Sequence, residues 1–119
     1  MEQGLLVDLS KFIGTEQYYY SAFKLLKLTD GINYLRNKAN CYWLIDIIES
    51  VQHLPKIKAN IEFLLWRIRV NSDSSWVVDV RTDSDILPLF EQKGEYTDFP
   101  LKEFEFYQIN DVLLLKSEY

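Results

Sequence analysis

Apolar residues recur with a helical period through the first half of the chain and alternate with polar ones through the second. Leu5, Leu9 and Phe12, joined by Leu6 and Ile13, fall at three- and four-residue spacings with Gly14 behind them, which predicts a short amphipathic helix and its stop. TEQYYY (15–20) and LLKL (25–28) are rich in strand formers and predict two short extended segments. On a strand, Tyr18 and Tyr20 share one face and Tyr19 takes the other, so the tyrosines cannot stack as one ladder. Packing into the core with hydroxyls at its rim is the structural reading of that run. A ligand wall made by Glu16, Tyr18 and the neighbouring loop is the functional one.

Thr29-Asp30 supplies a cap for a helix over 31–38, with Ile32, Leu35 and Ala39 on one face, and Asn40 interrupts it. A second helix is predicted over 41–53 and ended by Pro55. Leu44, Ile47, Ile48 and Val51 form its buried stripe with Cys41 beside them, while Tyr42, Asp46, Glu49 and His53 take the solvent side.

Alternation then takes over. IEFLLWRIRV (61–70) and WVVDVRT (76–82) flank the loop NSDSS. Pairing Val70 with Trp76 puts Ile68 opposite Val78 and Trp66 opposite Val80 on one face, and Arg67 opposite Asp79 on the other. LPLFEQK (87–93) predicts a further strand with Pro88 near its start. A last hairpin turning at Asn110-Asp111 pairs Phe106 with Leu115 and Glu105 with Lys116. The expected fold is α+β, N-terminal helices packed on an antiparallel meander of about five strands. Both faces of the last hairpin are apolar, Tyr107, Ile109, Val112 and Leu114 on one and Phe104, Phe106, Leu113 and Leu115 on the other. A covered second face is required, and a homodimer through Tyr107, Ile109, Val112 and Leu114 is one way to cover it.

At 119 residues, about half of them hydrophobic, the chain is expected to form one domain with its own core. Cys41 is the only cysteine, which excludes an internal disulfide and a cysteine-rich zinc site and fits a reducing cytoplasm. The N-terminal residues do not read as a signal peptide, and the apolar runs are too short to span a bilayer. The net charge of −5 is uneven: residues 1–70 carry nine Lys/Arg and seven Asp/Glu, or +2, and residues 71–119 carry four and eleven, or −7. An acidic second half argues against direct nucleic-acid binding and would suit a basic partner, but a solvated acidic surface that aids solubility is the favoured reading of it.

GTEQYY (14–19), TDGINYL (29–35), YWLID (42–46), YTDFPL (96–101) and VLLLKSEY (112–119) together resemble a family of small bacterial proteins, often plasmid- or phage-borne, that form a domain of unknown function. Asn40-Cys41 stands where that pattern carries Gly-Ala, and Lys116 where it carries Pro. The resemblance implies a bacterial mobile-element setting and supplies no activity.

Candidate chemistry is sparse. Asp46, Glu49 and His53 lie on one helical stripe, but one helix offers a metal a flat row rather than a closed shell, and no second histidine exists. Cys41 and His53 are about 120° apart around the same helix and cannot form a nucleophile–base pair. Asp30 and Asp98 resemble a carboxylate pair but sit in a helix cap and a turn. With no P-loop, nucleophile elbow or dinucleotide fingerprint, no cofactor, metal or catalytic residue is implied. The sequence therefore favours a non-enzymatic protein-binding module, with an acidic inhibitor of a host defence protein as a specific form. A small-ligand, nucleotide-type binder using Glu16, Tyr18 and Tyr19 with Arg67 and Arg69 is the alternative, and an uncharacterised enzyme the third reading.

Overall fold

A computed structural model describes residues 2–83 and 87–119. Its helices are α1 (Glu2–Ser10), α2 (Asp30–Lys38), α3 (Tyr42–Ser50) and α4 (Pro55–Ala59). Its strands are β1 (Tyr19–Tyr20), β2 (Lys27–Leu28), β3 (Leu64–Val70), β4 (Trp76–Arg81), β5 (Phe90–Gly94), β6 (Glu103–Ile109) and β7 (Val112–Leu115), followed by a 3-10 turn at Lys116–Glu118. The seven strands form one sheet in the order β1-β2-β7-β6-β3-β4-β5. The class is α+β, as the sequence pattern predicts. The expected five-strand antiparallel meander is not the arrangement: β6 crosses over to pair with β3 instead of β5, and β2 joins β7 in parallel and brings β1 with it, giving seven strands.

Both predicted registers hold. Val70 pairs with Trp76, Ile68 with Val78, Trp66 with Val80 and Arg67 with Asp79. In the last hairpin Phe106 pairs with Leu115, and Asn110 adopts the positive φ (55°) its turn requires. One face of the sheet, with Leu64, Trp66, Ile68, Val78, Val80, Phe106, Leu113 and Leu115, joins Ile32 and Leu35 of α2, Leu44, Ile45 and Ile48 of α3 and Ile57 of α4 in the core. Within it the Trp66 indole donates to Gln108 Oε1 at 2.9 Å, and Gln108 Nε2 donates to Gln52 and to the Asn110 carbonyl. A buried glutamine is tolerated there because its amide is fully partnered.

On the opposite face Asp79 is fully buried beneath Arg67, Arg69 and Arg81, at 3.2, 3.5 and 3.3 Å. Further along, Tyr107 packs against Phe63 and Tyr119 at 4.8 and 5.4 Å. Leu114 is already buried, and Ile109 and Val112 are half-buried.

Several elements depart from the sequence pattern. α3 stops at Ser50, and Pro55 opens α4 at its first position, where a missing N–H costs nothing, rather than only ending the preceding helix. The inner side of α3 is rotated so that Ile45 and Glu49 are buried, while Ile47 is half-buried. Glu49 therefore does not lie on a solvated stripe with Asp46 and His53, for a reason found in the loop it faces.

Candidate functional site

The segment between β1 and β2 is a tight loop running from Ser21 to Leu26. Its ends are tied by Ser21 N donating to the Leu26 carbonyl at 3.1 Å and by Leu26 N donating to Ser21 Oγ at 3.0 Å. Lys24 takes a positive φ of 62° at its tip, and its N–H donates to the Ser21 carbonyl. Such a loop leaves inward-pointing N–H groups without strand partners. Glu49 supplies the acceptor: its carboxylate takes the Ser21 hydroxyl, Phe23 N at 3.1 Å and Leu25 N at 3.2 Å. Burying a carboxylate is costly unless its lone pairs are occupied, and here the backbone and hydroxyl donors of one loop occupy them.

The outcome is a rigidly held loop that turns large apolar side chains outward. Phe23 is 81% exposed and Leu25 57%. Between them and α3 lies a cleft of about 550 Å³ lined by Ala22, Phe23, Leu25, Asp46, Glu49, Ser50 and His53. The aromatic surface continues past β1. Tyr18, Tyr20 and Tyr42 are each about half exposed. Arg36 donates to the Tyr20 carbonyl at 3.2 Å and lies 4.6 Å from the Tyr42 ring centre, joining these neighbours. Tyr19 packs against the core, which fits the opposite-face reading of the three tyrosines.

The structure does not assemble the expected ligand wall. Tyr19 is on β1 at one edge of the sheet and Arg67 and Arg69 are on β3, four strands away, or about 19 Å at the usual strand spacing. Both arginines are also engaged with Asp79. Glu16 is exposed and uses its backbone N–H on Asp30, while the Asp30 N–H donates to Thr15 Oγ1, each at 2.9 Å.

That contact belongs to a clasp at the start of α2. Thr29 Oγ1 accepts from Ile32 N as the predicted cap. Glu118, arriving from the C-terminus, accepts from Thr29 Oγ1 at 2.6 Å, Gly31 N at 3.1 Å and Leu115 N at 2.9 Å. A Cβ on Gly31 would meet Leu115 Cδ1 at 2.4 Å and Glu118 Oε1 at 2.7 Å, so a side chain here would displace both from the clasp. The segments GTE, TDG and SEY thus converge on one structural joint, with the Glu118 carboxylate suitably placed at a helix N-terminus.

Cys41 is fully buried, its thiol donates to the Leu35 carbonyl, and desolvation pushes its pKa up to about 12. Such a thiol is no nucleophile. Asp98 lies in the turn whose Thr97 Oγ1 accepts from Phe99 N, remote in sequence and in role from the Asp30 clasp. Among the described residues no cluster of three His, Cys, Asp or Glu is placed to hold a metal ion. No helix among them is long and apolar enough to cross a membrane.

Glu49 is the residue that sequence reasoning misplaced. Its only signal was its position three residues from Asp46 and four from His53, which suggests a polar stripe. The fold and site together define a small α+β protein that presents a fixed apolar loop. The chain belongs to a family of unknown function (DUF6876), whose model matches residues 3–119. No curated protein and no solved structure gives a significant match to it.

Proposed function

We propose that this protein is a non-enzymatic protein-binding module that docks its partner on the loop 21–26 and the neighbouring outer side of α3. The observation that carries this reading is the Glu49 anchor beneath an outward-facing Phe23 and Leu25. Fixing a loop before binding removes the ordering cost that a flexible one would bear on association. Aromatic and arginine side chains around an apolar centre (Tyr20, Arg36, Tyr42 and Phe23) match the composition of interface hot spots. The cleft beside Phe23 would receive an apolar side chain, with Asp46 and His53 at its polar end.

The −7 charge of residues 71–119 favours a basic partner. Inhibition of a host defence protein is the form suggested by the mobile-element setting of the resembling family. The commitments of Glu49 and Cys41 weigh against an enzyme built on α3, and the separation of β1 from Arg67 and Arg69 weighs against the nucleotide-type alternative. Self-association through the last hairpin would rest on Ile109, Val112 and the rim of Tyr107, because Leu114 already packs inside the chain. The test is capture from a native lysate by immobilised protein at low and high salt. A partner held by the unmutated chain, released by salt and absent from a Phe23→Ser/Leu25→Ser double variant supports the reading. Equal capture by both forms refutes it.

A further inference from the structure

The other flank of α3 carries Trp43 and Ile47 into a second cleft, of about 510 Å³, completed by Trp76, Gln92, Tyr96, Thr97 and Asp98. Its aromatic wall is positioned with care. Trp76 pairs across the ladder with Gly94, where any Cβ would come within 2.0 Å of the indole, so the ring lies directly over the β5 backbone. The Trp76 indole N–H is consumed by the Tyr96 carbonyl at 3.0 Å. Trp43 meets Trp76 at 4.9 Å with the rings tilted by 47°. Thr97 is likewise committed, its N–H to the Ser74 carbonyl and its hydroxyl oxygen to Phe99 N.

With the Trp76 indole N–H and the Thr97 amide spent, the wall offers a ligand the negative π-faces of its aromatic rings beside the Asp98 carboxylate. Asp98 is the only charged lining residue among the described ones. Among the described residues no cation pairs with its carboxylate. Aromatic faces beside an unpaired carboxylate attract a positive group and repel an anion. We propose that this cleft binds an organic cation, an ammonium or guanidinium head group, presented by the side chain of a basic protein segment. The ligand class follows from the cleft alone, whereas the basic protein segment as its source rests on the protein-binding reading above.

The test uses choline, its neutral isostere 3,3-dimethylbutan-1-ol, and a short arginine-containing peptide amide, each titrated while the tryptophan indole resonances are followed by NMR. Choline and the peptide should shift the Trp43 and Trp76 signals and leave that of buried Trp66 unmoved. The isostere should bind more weakly. Each aromatic face contributes about a two- to fivefold gain at a partly exposed site, so Tyr96→Ala should weaken choline by that factor, and Asp98→Asn should weaken it too. Tyr96 and Asp98 are exposed, so both variants should keep the fold. Peptide binding tighter than choline supports the protein source, and the reverse overturns that source while keeping the site. Equal binding of isostere and choline, no binding of either, or indifference to both substitutions overturns the cation site. The Phe23→Ser/Leu25→Ser variant should retain choline binding, which separates failure of this site from failure of the docking loop.

Discussion

Replacing Glu49 with alanine tests whether a single carboxylate holds the docking loop. Three donors lose their acceptor at once: the Ser21 hydroxyl, Phe23 N and Leu25 N. A hydrogen bond to a charged acceptor is worth about 1.5–3 kcal/mol net, which would come to about 4.5–9 kcal/mol for three. Two terms reduce that sum. The buried carboxylate no longer bears its desolvation cost, and the two backbone N–H groups lie near enough to the surface to be rehydrated once the loop opens. A loss of about 2–4 kcal/mol is the expected balance. Glu49→Gln keeps one carbonyl oxygen able to serve the same three donors and should cost less, whereas Glu49→Asp is a methylene too short to reach them. Urea denaturation followed by circular dichroism gives the global change, and amide hydrogen exchange at Phe23 and Leu25 gives the local one. Both amides should lose protection in Glu49→Ala even under conditions where the sheet stays folded. A change below about 0.5 kcal/mol with unaltered exchange at those amides would refute the anchoring role.

Trp66→Ala should destabilise by about 3–5 kcal/mol in chemical denaturation, since it empties a fully buried site and strips Gln108 of its indole donor. Leu114→Glu should lower stability rather than merely change the oligomeric state seen by light scattering, because Leu114 is 8% exposed within one chain. Alkaline stability should decline through Cys41. Its folded pKa, raised by burial to about 12, lies above the ordinary thiol value of 9.0. The thiol therefore contributes stability fully present below pH 9 and lost as pH rises toward 12, when the unfolded chain sheds a proton that the folded chain keeps. The slope for this group is about 1.4 kcal/mol per pH unit, and it should be absent from the same titration of Cys41→Ala.

The sheet's centre was legible because two independent patterns agreed there. The apolar alternation of β3 and β4 and the opposition of Arg67 to Asp79 are satisfied by the same register. The last hairpin was legible for a similar reason, with Phe106 against Leu115 and Glu105 against Lys116. The parallel pairing of β2 with β7 was not, since a strand of two residues carries no period and its partner lies more than 80 residues away in the chain. Pro55 is locally ambiguous, because the same residue that stops one helix is favoured at the first position of the next. Glu49 was the decisive omission. Its partners are backbone N–H groups 24 and 26 residues away, and main-chain donors leave no mark in a pattern of side chains. The cleft at Trp43 and Trp76 was hidden likewise, since it depends on Gly94 lying across the ladder from Trp76.

The docking loop is tested most directly by the affinity of a captured and purified partner for the unmutated chain and for Phe23→Ser/Leu25→Ser, measured by isothermal titration. Both side chains are largely exposed in the free protein, so the double variant should fold with undiminished stability. Burying Phe23 and Leu25 at an interface is worth about 1.5–3 kcal/mol each, so their loss should weaken binding by at least about 100-fold. An affinity within about threefold of the unmutated chain's, from a variant of equal stability, would contradict the docking role of this loop.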